Sequence, residues 1–589
     1  MKILSNFSLP GDDNHEIVCF SGKFHDHFYY DQQQPCYFPD VLNAMPKNWE
    51  PDFVLFKSPQ YFAVPYGIEQ CPFPTVLLLD DWFGGVDYLL DIFTKFDSIL
   101  TDKTSVVMLR RMGFDNVEYW PLFVASPAQF HVLPDEKRIY DVTFTGNFNV
   151  NVQGDRLPWL KRVANLDKKY SVRLFHKAWH QEYTKVLNQS KIVFNRSIKG
   201  EMNQRAFEAI SCGALLFMEE ENLEIRDFFT PGTDCVLYND DNFETLLEYY
   251  LSHEEERAEM ARKGLAKSRE FSFPLMFDKM VDAIAKNLVA NKKRITKTFY
   301  SCSLQCSDFI QTSLAMRGRG NSTVKNITML ISENKADPVF LNDCAVILMT
   351  YAEDLRRIGE ANEYEKLSSN ALALLSAASK TPNYITSEFN KGQMSFLIGN
   401  FQEAGDIFKR LLSIHSIDSY SQCKGLPFPL DYTLPLRFEW NMSISNALGD
   451  GKAMAQKRLD CIRFFSACGL GKISLCQHPP DLFAAQAWFE KASAIAPDNC
   501  AALVPLAQIY IQKKDPLALE IAQKVLKINP FDFAFWKEWA LYLVQTGKQD
   551  AAERFVGSCL ICLDRLQFAT EEVKTVFQEL VANTNLLSK

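Results

Sequence analysis

A strand–helix–strand segment between residues 192 and 218 constrains the fold more than any other part of this chain. The apolar runs at residues 192–195 and 214–218 are typical of buried strands, and residues 201–212 have the pattern of a short helix. Gly213 suits the left-handed residue that commonly ends a helix. Buried strands that alternate with helices form parallel sheets, so the segment predicts an α/β fold.

Two side chains of the expected helix have the chemistry of a ligand site. Arg205 and Glu208 are three residues apart, so they share one helical face near the positively charged end of the helix. A diphosphate is bound by fixed cations and N–H groups, and the hydroxyls of a ribose need a carboxylate acceptor. The pair therefore predicts a nucleotide-sugar site. An ordinary ion pair on an amphipathic helix is the alternative that remains open.

Motifs around this helix resemble those of a known family. The sequences SKIVFN, RAFEAISCGALLF and IRDFFTPGTDCVLY are similar to the C-terminal half of GT-B glycosyltransferases, most closely the CgeB-like branch, and the resemblance covers roughly residues 50–285. It implies two Rossmann-like domains, a donor such as a UDP- or GDP-sugar, and a ribose-binding role for Glu208. Related retaining enzymes carry two glutamates with seven residues between them, whereas six residues separate Glu201 from Glu208. The resemblance therefore assigns no role to Glu201.

Length, charge and cysteine content exclude several other classes. At 589 residues the chain is too long for one hydrophobic core, and its net charge of -9 argues against nucleic-acid binding, which needs a basic surface. Its 15 cysteines are scattered without a second pair at metal-ligand spacing, so neither a metal nor a cofactor is expected. The N-terminal residues lack the features of a signal peptide, and no apolar run is long enough for a transmembrane helix. We therefore expect a soluble, cytoplasmic protein.

The chain divides into four predicted segments. Residues 1–125 alternate apolar runs with helical patterns, which indicates an N-terminal Rossmann-like domain on the acceptor side. Residues 126–290 continue the alternation as a second Rossmann-like domain for the donor, and residues 291–335 have the composition of a linker. Residues 336–589 are expected to be helical. The strands expected in the first segment are residues 17–20, 53–56, 76–79, 98–100 and 117–120.

Further donor-site candidates follow the strands of the second segment. Ligands of open α/β sheets bind beyond the carboxyl ends of the strands. Gly146 and Asn147 follow the run YDVTFT, His176 follows YSVRLF, and Asn195 ends KIVFN. These residues join the helix pair in the predicted donor site. A plain turn at Gly146 and a surface position for His176 are the alternatives.

The catalytic candidates come from the first segment. Asp80 and Asp81 directly follow a buried strand, and an inverting reaction would use one of them as the general base for the acceptor hydroxyl. In a retaining reaction the same residue would only orient substrates. His27 is a second candidate base. The alternative is that Asp80 caps the next helix and Asp81 is solvated.

The sequence also suggests how the charge of the leaving group is stabilised. No D-x-D sequence occurs, so we expect protein cations and a helix N-terminus to neutralise the diphosphate without a metal.

The last segment repeats a helical spacing. Its small and large apolar residues fall at the positions of the second helix of a tetratricopeptide (TPR) repeat. These residues are Ala485, Phe489, Ala492 and Pro497, then Ala518, Ala522, Val525 and Pro530, and more weakly Ala404, Phe408 and Leu411. The whole chain is thus predicted to be an α/β GT-B glycosyltransferase with an all-α TPR solenoid that recruits a protein or peptide acceptor.

Two alternatives to the recruiting role remain open. One is a glycan-elongating transferase whose helices serve oligomerisation or docking. The other is a non-catalytic scaffold with a decayed transferase domain.

Overall fold

The computed structural model describes the chain except for residues 8–13, 21–35, 122–123, 177, 199, 290–298, 300–302, 316–326, 333–336, 431–434, 443–446, 568, 570 and 585–589. The chain divides into two compact units. Unit 1 comprises Met1–Leu122 and Asp278–Pro497, and unit 2 comprises Phe123–Phe277 and Asp498–Lys589. Each unit thus combines one α/β part of the chain with a part of the helical region.

Unit 1 is built on a parallel sheet. Among the described residues it has six strands in the order β2-β1-β3-β4-β5-β6. The strands are β1 (Lys2–Ser5), β2 (Glu16–Cys19), β3 (Phe53–Lys57), β4 (Thr75–Leu79), β5 (Ser98–Thr101) and β6 (Val117–Tyr119), with helices α1 (Phe38–Asn43), α2 (Val86–Phe93) and α3 (Lys103–Arg111). The predicted parallel sheet is confirmed, but strand β1 was missed because its apolar run is very short.

Unit 2 contains the second parallel sheet. In the part of the chain that the structure describes, it has five strands in the order β11-β10-β9-β7-β8. The strands are β7 (Tyr140–Thr145), β8 (Val172–Phe175), β9 (Ser190–Phe194), β10 (Leu215–Glu219) and β11 (Val236–Tyr238). Its helices in chain order are α4 (Val150–Gln153), α5 (Leu157–Ala164), α6 (His180–Asn188), α7 (Gln204–Ser211), α8 (Phe243–Ser252) and α9 (Glu254–Ser268). Helix α10 (Phe273–Val289) begins in unit 2 and continues into unit 1 from Asp278.

Gly213 ends helix α7 as the sequence predicted. Its φ of 74° lies in the left-handed region, and its N–H donates to the carbonyl of Ile210 at 2.8 Å. A Cβ at this position would also lie 2.8 Å from Nη2 of Arg138. Arg138 donates to the carbonyl of Cys212, so glycine is required both by the backbone and by this side chain.

Helices from the later part of the chain complete unit 1. They are α11 (Leu304–Ala315), α12 (Pro338–Arg357), α13 (Ala361–Ala378), α14 (Ile385–Leu397), α15 (Phe401–Leu412), α16 (Pro435–Met442), α17 (Gly451–Leu475) and α18 (Leu482–Ile495). One continuous cluster of buried side chains extends from the sheet into α11, α12 and α13. Gln311 on α11, in the segment interpreted as a linker, is fully buried and donates to the carbonyls of Pro59 and Phe62.

A buried ion pair joins this helical part to the sheet of unit 1. Nη2 of Arg458 on α17 lies 2.9 Å from both carboxylate oxygens of Asp87 in the first turn of α2, and both side chains are fully buried. The hydroxyl of Tyr420 donates to the same carboxylate at 2.8 Å, and the guanidinium stacks 4.1 Å from the ring centre of Trp440. A buried pair is stable only with such additional partners, so helices and sheet form one structure.

The inner side of helices α12 and α14 holds a segment of the same chain. The side-chain amides of Asn342 and Asn390 donate to the carbonyl of Leu426 at 3.1 and 2.8 Å. Asn390 also accepts from the N–H of Phe428, and Asp343 accepts from the N–H of Leu426. These hydrogen bonds satisfy the backbone of a buried, proline-containing segment, which is therefore part of the core.

The C-terminal helices belong to unit 2. They are α19 (Cys500–Lys513), α20 (Ala518–Ile528), α21 (Phe533–Gln545), α22 (Gln549–Arg565) and α23 (Glu571–Thr584). Arg565 is buried and donates to the carbonyls of Ala164 and Leu166 at 2.7 and 2.6 Å, beyond the end of α5. Leu566 forms a parallel bridge with Leu174 at the edge strand β8. The C-terminal helices are thus tied directly to the second sheet.

The predicted repeat positions agree with burial in the structure. The apolar residues of the three predicted repeat helices are all fully buried: Ala404, Phe408, Leu411, Ala485, Phe489, Ala492, Ala518, Ala522 and Val525. The helical nature of this region is confirmed, whereas its identity as a TPR solenoid stays a prediction. No described helix has both the length and the apolar character needed to cross a membrane.

Replacing Arg458 should destabilise unit 1 strongly. Arg458→Met leaves the buried Asp87 carboxylate without its cation, so we expect the free energy of unfolding of unit 1 to fall by about 3–5 kcal/mol. Urea denaturation followed by tryptophan fluorescence measures this loss. The double variant Asp87→Leu, Arg458→Met should recover part of it, because no charge is then left unpaired.

The control for this prediction is Arg410→Met. Arg410 pairs with Glu388 at the exposed surface of unit 1. Loss of this pair should change the stability by less than about 1 kcal/mol. Equal destabilisation by the two single variants would contradict the anchoring role of Arg458.

Candidate functional site

Arg205 lies at the carboxyl edge of the second sheet. Its Nε donates to the carbonyl of Thr145 at 2.7 Å and its Nη1 donates to Oδ1 of Asn195 at 2.7 Å. The guanidinium also stacks 4.5 Å from the ring centre of Phe144. A Cβ on Gly146 would lie 2.5 Å from Nη2 of Arg205, so this close approach requires glycine. The structure thus brings together Gly146, Asn195 and Arg205, as the sequence predicted.

Two further arginines, which the sequence analysis missed, lie near this sheet edge. Arg156 is beside Arg205, and Arg196 directly follows strand β9, where its guanidinium stacks 4.9 Å from the ring centre of Trp159. Arg156 is buried and donates through Nε and Nη2 to the carbonyl of Arg196 at 3.1 and 2.7 Å. It stacks 5.3 Å from the centre of the Phe144 ring, on which Arg205 also stacks. Burial and the neighbouring charge of Arg205 lower the pKa of Arg156 to about 9. We call Arg156, Arg196 and Arg205 the guanidinium cluster.

Several buried polar atoms around the cluster have unused hydrogen-bonding capacity. Within the described part of the chain, Nε and Nη1 of Arg196, Oγ1 of Thr145 and Oε2 of Glu219 are buried without a hydrogen-bond partner. The other carboxylate oxygen of Glu219 accepts from the N–H of Ser197 at 3.0 Å. Buried donors are rarely left unpaired in proteins. An anion that accepts several hydrogen bonds, such as a diphosphate, would satisfy the free donors of Arg196.

Glu208 lies on helix α7 together with Arg205. Its side chain is only 5% exposed, and its Oε2 accepts a hydrogen bond of 2.8 Å from the hydroxyl of Tyr183. Burial raises the pKa of Glu208 to about 7, while Tyr183 and Arg205 act in the opposite direction. The cluster and this carboxylate place cations and a strong acceptor at the same sheet edge.

The other predicted donor-site residues occupy different environments. Nδ1 of His176, after strand β8, lies 3.3 Å from the carbonyl of Gly146, so His176 is at the same edge. Asn195 is fully buried, and its contacts with Arg205 and Asn203 make it a support for the guanidinium. Asn147 is exposed, and its side chain accepts from the N–H of Asn149.

The two predicted acidic residues of unit 1 differ in role. Asp80 is buried, and its Oδ1 accepts from the hydroxyl of Ser58 at 2.7 Å and from Nε2 of Gln60 at 2.8 Å. It therefore holds the turn after strand β3 and does not cap the next helix. Asp81 has a left-handed backbone, with a φ of 39°, and makes no side-chain cap.

The surroundings of Asp81 raise the pKa of its carboxyl group. Desolvation, followed by the charges of Asp80 and Asp102, raises the pKa of Asp81 to about 6, although the residue as a whole remains exposed. His27, the other predicted base, lies outside the described residues. Where the structure describes the chain, no group of three or more histidine, cysteine or acidic side chains has the arrangement of a metal site.

Sequence signals existed for some of the missed residues. Arg196 directly follows Asn195, and Glu219 ends strand β10, so both lie at the strand ends where ligands bind in such sheets. Arg156 precedes helix α5, and Tyr183 lies within α6. No spacing rule connects either of them with helix α7, so only the folded structure identifies them.

Comparisons with known proteins agree with the chemistry of this site. Residues 137–272 match the model of a family described as glycosyl transferase-like. The matched segment includes the guanidinium cluster, Glu208 and Tyr183. No curated protein matches the chain in sequence. The chain thus contains a glycosyl transferase-like segment.

Several solved structures are similar at low sequence identity. TarM is 13% identical with a TM-score of 0.31, and the match covers 39% of this chain and 54% of TarM, so the chain spans about half of that structure. The pneumococcal O-GlcNAc transferase GtfA in complex with UDP and GlcNAc is 12% identical with a TM-score of 0.31, over 43% of this chain and 59% of that one. HepE from Anabaena in complex with UDP and glucose is 12% identical with a TM-score of 0.35, over 49% of this chain and 100% of that one.

The guanidinium cluster should bind a diphosphate even without a nucleoside. We expect inorganic pyrophosphate to raise the thermal midpoint of the full-length protein, because binding to the folded state stabilises it. Arg196→Gln removes the stacking of the guanidinium on Trp159, so we expect a small decrease in the midpoint of the free protein and the loss of most of the increase that pyrophosphate causes. Differential scanning fluorimetry measures both effects.

Arg262→Gln is the control for this experiment. Arg262 lies on helix α9 of the same unit and pairs with Glu259 at the surface. This variant should respond to pyrophosphate as the wild type does. An equal pyrophosphate response in all three proteins would exclude Arg196 from an anion site.

Proposed function

We propose that this protein is a glycosyltransferase of GT-B architecture that moves a sugar from a nucleotide-sugar donor to an acceptor. The observation that carries the proposal is the guanidinium cluster beside Glu208, within the segment that matches the glycosyl transferase-like family. A nucleotide sugar has a diphosphate, which needs cations and donors, and a ribose, whose hydroxyls need an acceptor. Both requirements are met at one sheet edge.

Each residue of the site has a proposed role. The guanidinium cluster binds the diphosphate, and its charge stabilises the nucleoside diphosphate as it leaves. Glu208 accepts the ribose hydroxyls. Gly146 allows the backbone to approach the phosphates, and His176 lies on the side of the nucleobase. Asn195 keeps Arg205 in place. The resemblance to the CgeB-like branch supports the assignment of Glu208.

Asp81 is the proposed general base. In an inverting reaction, its carboxylate removes the proton of the acceptor hydroxyl as that oxygen attacks the anomeric carbon and the bond to the diphosphate breaks. A pKa of about 6 keeps Asp81 ionised at neutral pH and close to the range in which a base is effective. Asp80 supports the local structure, and His27 is the alternative base.

Variants of the two acidic residues should separate these roles. Asp81→Asn should lower kcat by about 10²–10⁴-fold with little change in donor affinity. Asp80→Asn should mainly lower the thermal midpoint, because its charge-assisted bonds with Ser58 and Gln60 are weakened. Release of nucleoside diphosphate measures turnover.

The pH dependence of turnover gives an independent check on Asp81. With saturating donor, kcat of the wild type should rise as the pH increases through about 6, because Asp81 loses its proton. This rise should be absent in Asp81→Asn. A full rate in Asp81→Asn would leave His27 as the better candidate.

Turnover should not require a divalent metal. The guanidinium cluster supplies the positive charge for the leaving diphosphate, so activity with UDP-, GDP- or TDP-sugars should persist in EDTA. A thermal-shift screen with these donors identifies the nucleotide first. A loss of activity in EDTA that Mg²⁺ or Mn²⁺ restores would contradict the metal-independent mechanism.

The acceptor is proposed to be a protein that docks on the helical region. Exposed apolar side chains at the turn between α14 and α15 of unit 1, namely Leu397, Ile398 and Phe401, support a docking surface there. Incubation with a radiolabelled donor and a cell lysate should place the label in protein bands. Label found only in a glycan fraction would favour the glycan-elongating alternative.

A further inference from the structure

We propose that Tyr183 is a positioning residue that couples Arg205 to Glu208, so that the diphosphate and the ribose are held by one hydrogen-bonded unit. The inference rests on the proposed function, because it takes Glu208 as the acceptor of the ribose hydroxyls. Tyr183 itself touches neither the sugar nor the phosphates in this assignment. It acts through the orientation and the ionisation of Glu208.

The Tyr183 hydroxyl contacts Glu208 within reach of the charge of Arg205. Tyr183 lies on helix α6, and its hydroxyl donates to Oε2 of Glu208 on helix α7 at 2.8 Å. A hydroxyl has one proton to donate and lone pairs that accept. The positive charge of Arg205, three residues before Glu208 on the same helix, acts on both the hydroxyl and the carboxylate. Tyr183 thus holds a carboxylate that shares one helical face with Arg205.

The ring of Tyr183 is itself held in place. Phe130 contacts it in an edge-on arrangement, with ring centres 5.8 Å apart and planes at 75°. The hydroxyl is thus directed by packing from a separate part of unit 2. A ring that could turn freely would not fix the carboxylate that it contacts.

Tyr183 uses only one of the two carboxylate oxygens of Glu208. Among the described residues, no hydrogen-bond donor meets Oε1. A carboxylate with one oxygen fixed keeps the other in a defined direction. Oε1 is therefore presented to a ligand, and two vicinal hydroxyls of a ribose are a donor set that an ionised carboxylate accepts.

The charge of Glu208 depends on this contact. Burial raises its pKa to about 7, and the hydrogen bond from Tyr183 is the first effect that opposes the shift. Removing the hydroxyl should raise the pKa of Glu208 further, so more of the carboxyl group is protonated at pH 7. A protonated carboxyl group accepts hydrogen bonds poorly, so donor affinity should fall.

Arg156 belongs to the same cluster as Arg205 and has a pKa of about 9, so the pH dependence of donor binding is measured only up to pH 8. Burial raises the pKa of the Cys212 thiol, on the same helix, to about 12, and the pKa of Tyr183 well above its ordinary value. The Cys212 thiol and the Tyr183 hydroxyl therefore both stay neutral over the pH range of the experiment. Arg205 and Arg138, the nearby cations, are guanidiniums that remain charged at neutral pH.

Calorimetry on the full-length protein tests the proposal. UDP-glucose and GDP-mannose serve as probes, because their diphosphates do not titrate between pH 5.5 and 8. Wild-type affinity should weaken as the pH falls below about 7, where Glu208 gains a proton. Tyr183→Phe should lower the affinity about tenfold at pH 7, and the loss should shrink toward pH 8, where more of the carboxyl group is ionised.

Two further variants separate positioning from structure. Tyr249→Phe is the matched control, because Tyr249 donates to Glu256 at a similar distance of 2.7 Å but at the exposed surface of unit 2. It should bind both probes as the wild type does. Glu208→Gln should bind weakly and should lose the pH dependence that Glu208 causes between pH 5.5 and 8, and adding Tyr183→Phe to it should have little further effect.

The outcomes distinguish this inference from the proposed function. If Tyr183→Phe binds like the wild type, or loses the same factor at every pH while Glu208→Gln loses affinity, the coupling role is wrong and the donor site stands. If Glu208→Gln binds like the wild type, or if the wild type binds neither probe, the assignment of the donor site fails and the coupling role fails with it.

Discussion

The fully buried contact between Arg458 and Asp87 is the interaction on which the arrangement of unit 1 depends. Removing two charges from water is costly, and a buried pair is tolerated only where geometry and further hydrogen bonds offset that cost. Tyr420 and Trp440 supply those partners. All of the groups except Asp87 come from the helical region. The helices therefore cannot be separated from the first sheet without leaving a buried carboxylate unpaired.

A buried charged group with several hydrogen-bond partners also holds the helices of unit 2 in place. Arg565 is buried against backbone carbonyls beyond the end of helix α5, and Leu566 adds a bridge to the edge of strand β8. Carbonyls at a helix end need donors, and a buried guanidinium provides several at once. The helical region is consequently divided between the two units.

The sequence predicted what depends on local pattern. Apolar runs gave the positions of most strands, and the spacing around Phe489 and Val525 gave buried helical positions. Helical spacing indicated Arg205 and Glu208 as site candidates, and a strand end indicated Asp81. Long-range contacts were not predictable. A repeat spacing reports how neighbouring helices pack, not which sheet they cover. Likewise, no pattern links Tyr183 to Glu208 across 25 residues, because their contact depends on how two crossover helices lie on one sheet.

The electrostatics of unit 2 favour the kind of ligand that is proposed for this sheet edge. Burial makes the charged forms of both Arg156 and Glu208 less favourable, lowering the pKa of the first to about 9 and raising that of the second to about 7. A bound metal ion would stabilise the carboxylate but repel the guanidiniums. An anion alone would stabilise the guanidiniums but repel the carboxylate. A ligand that joins a diphosphate to neutral hydroxyl donors stabilises both charges at once, which is the composition of a nucleotide sugar.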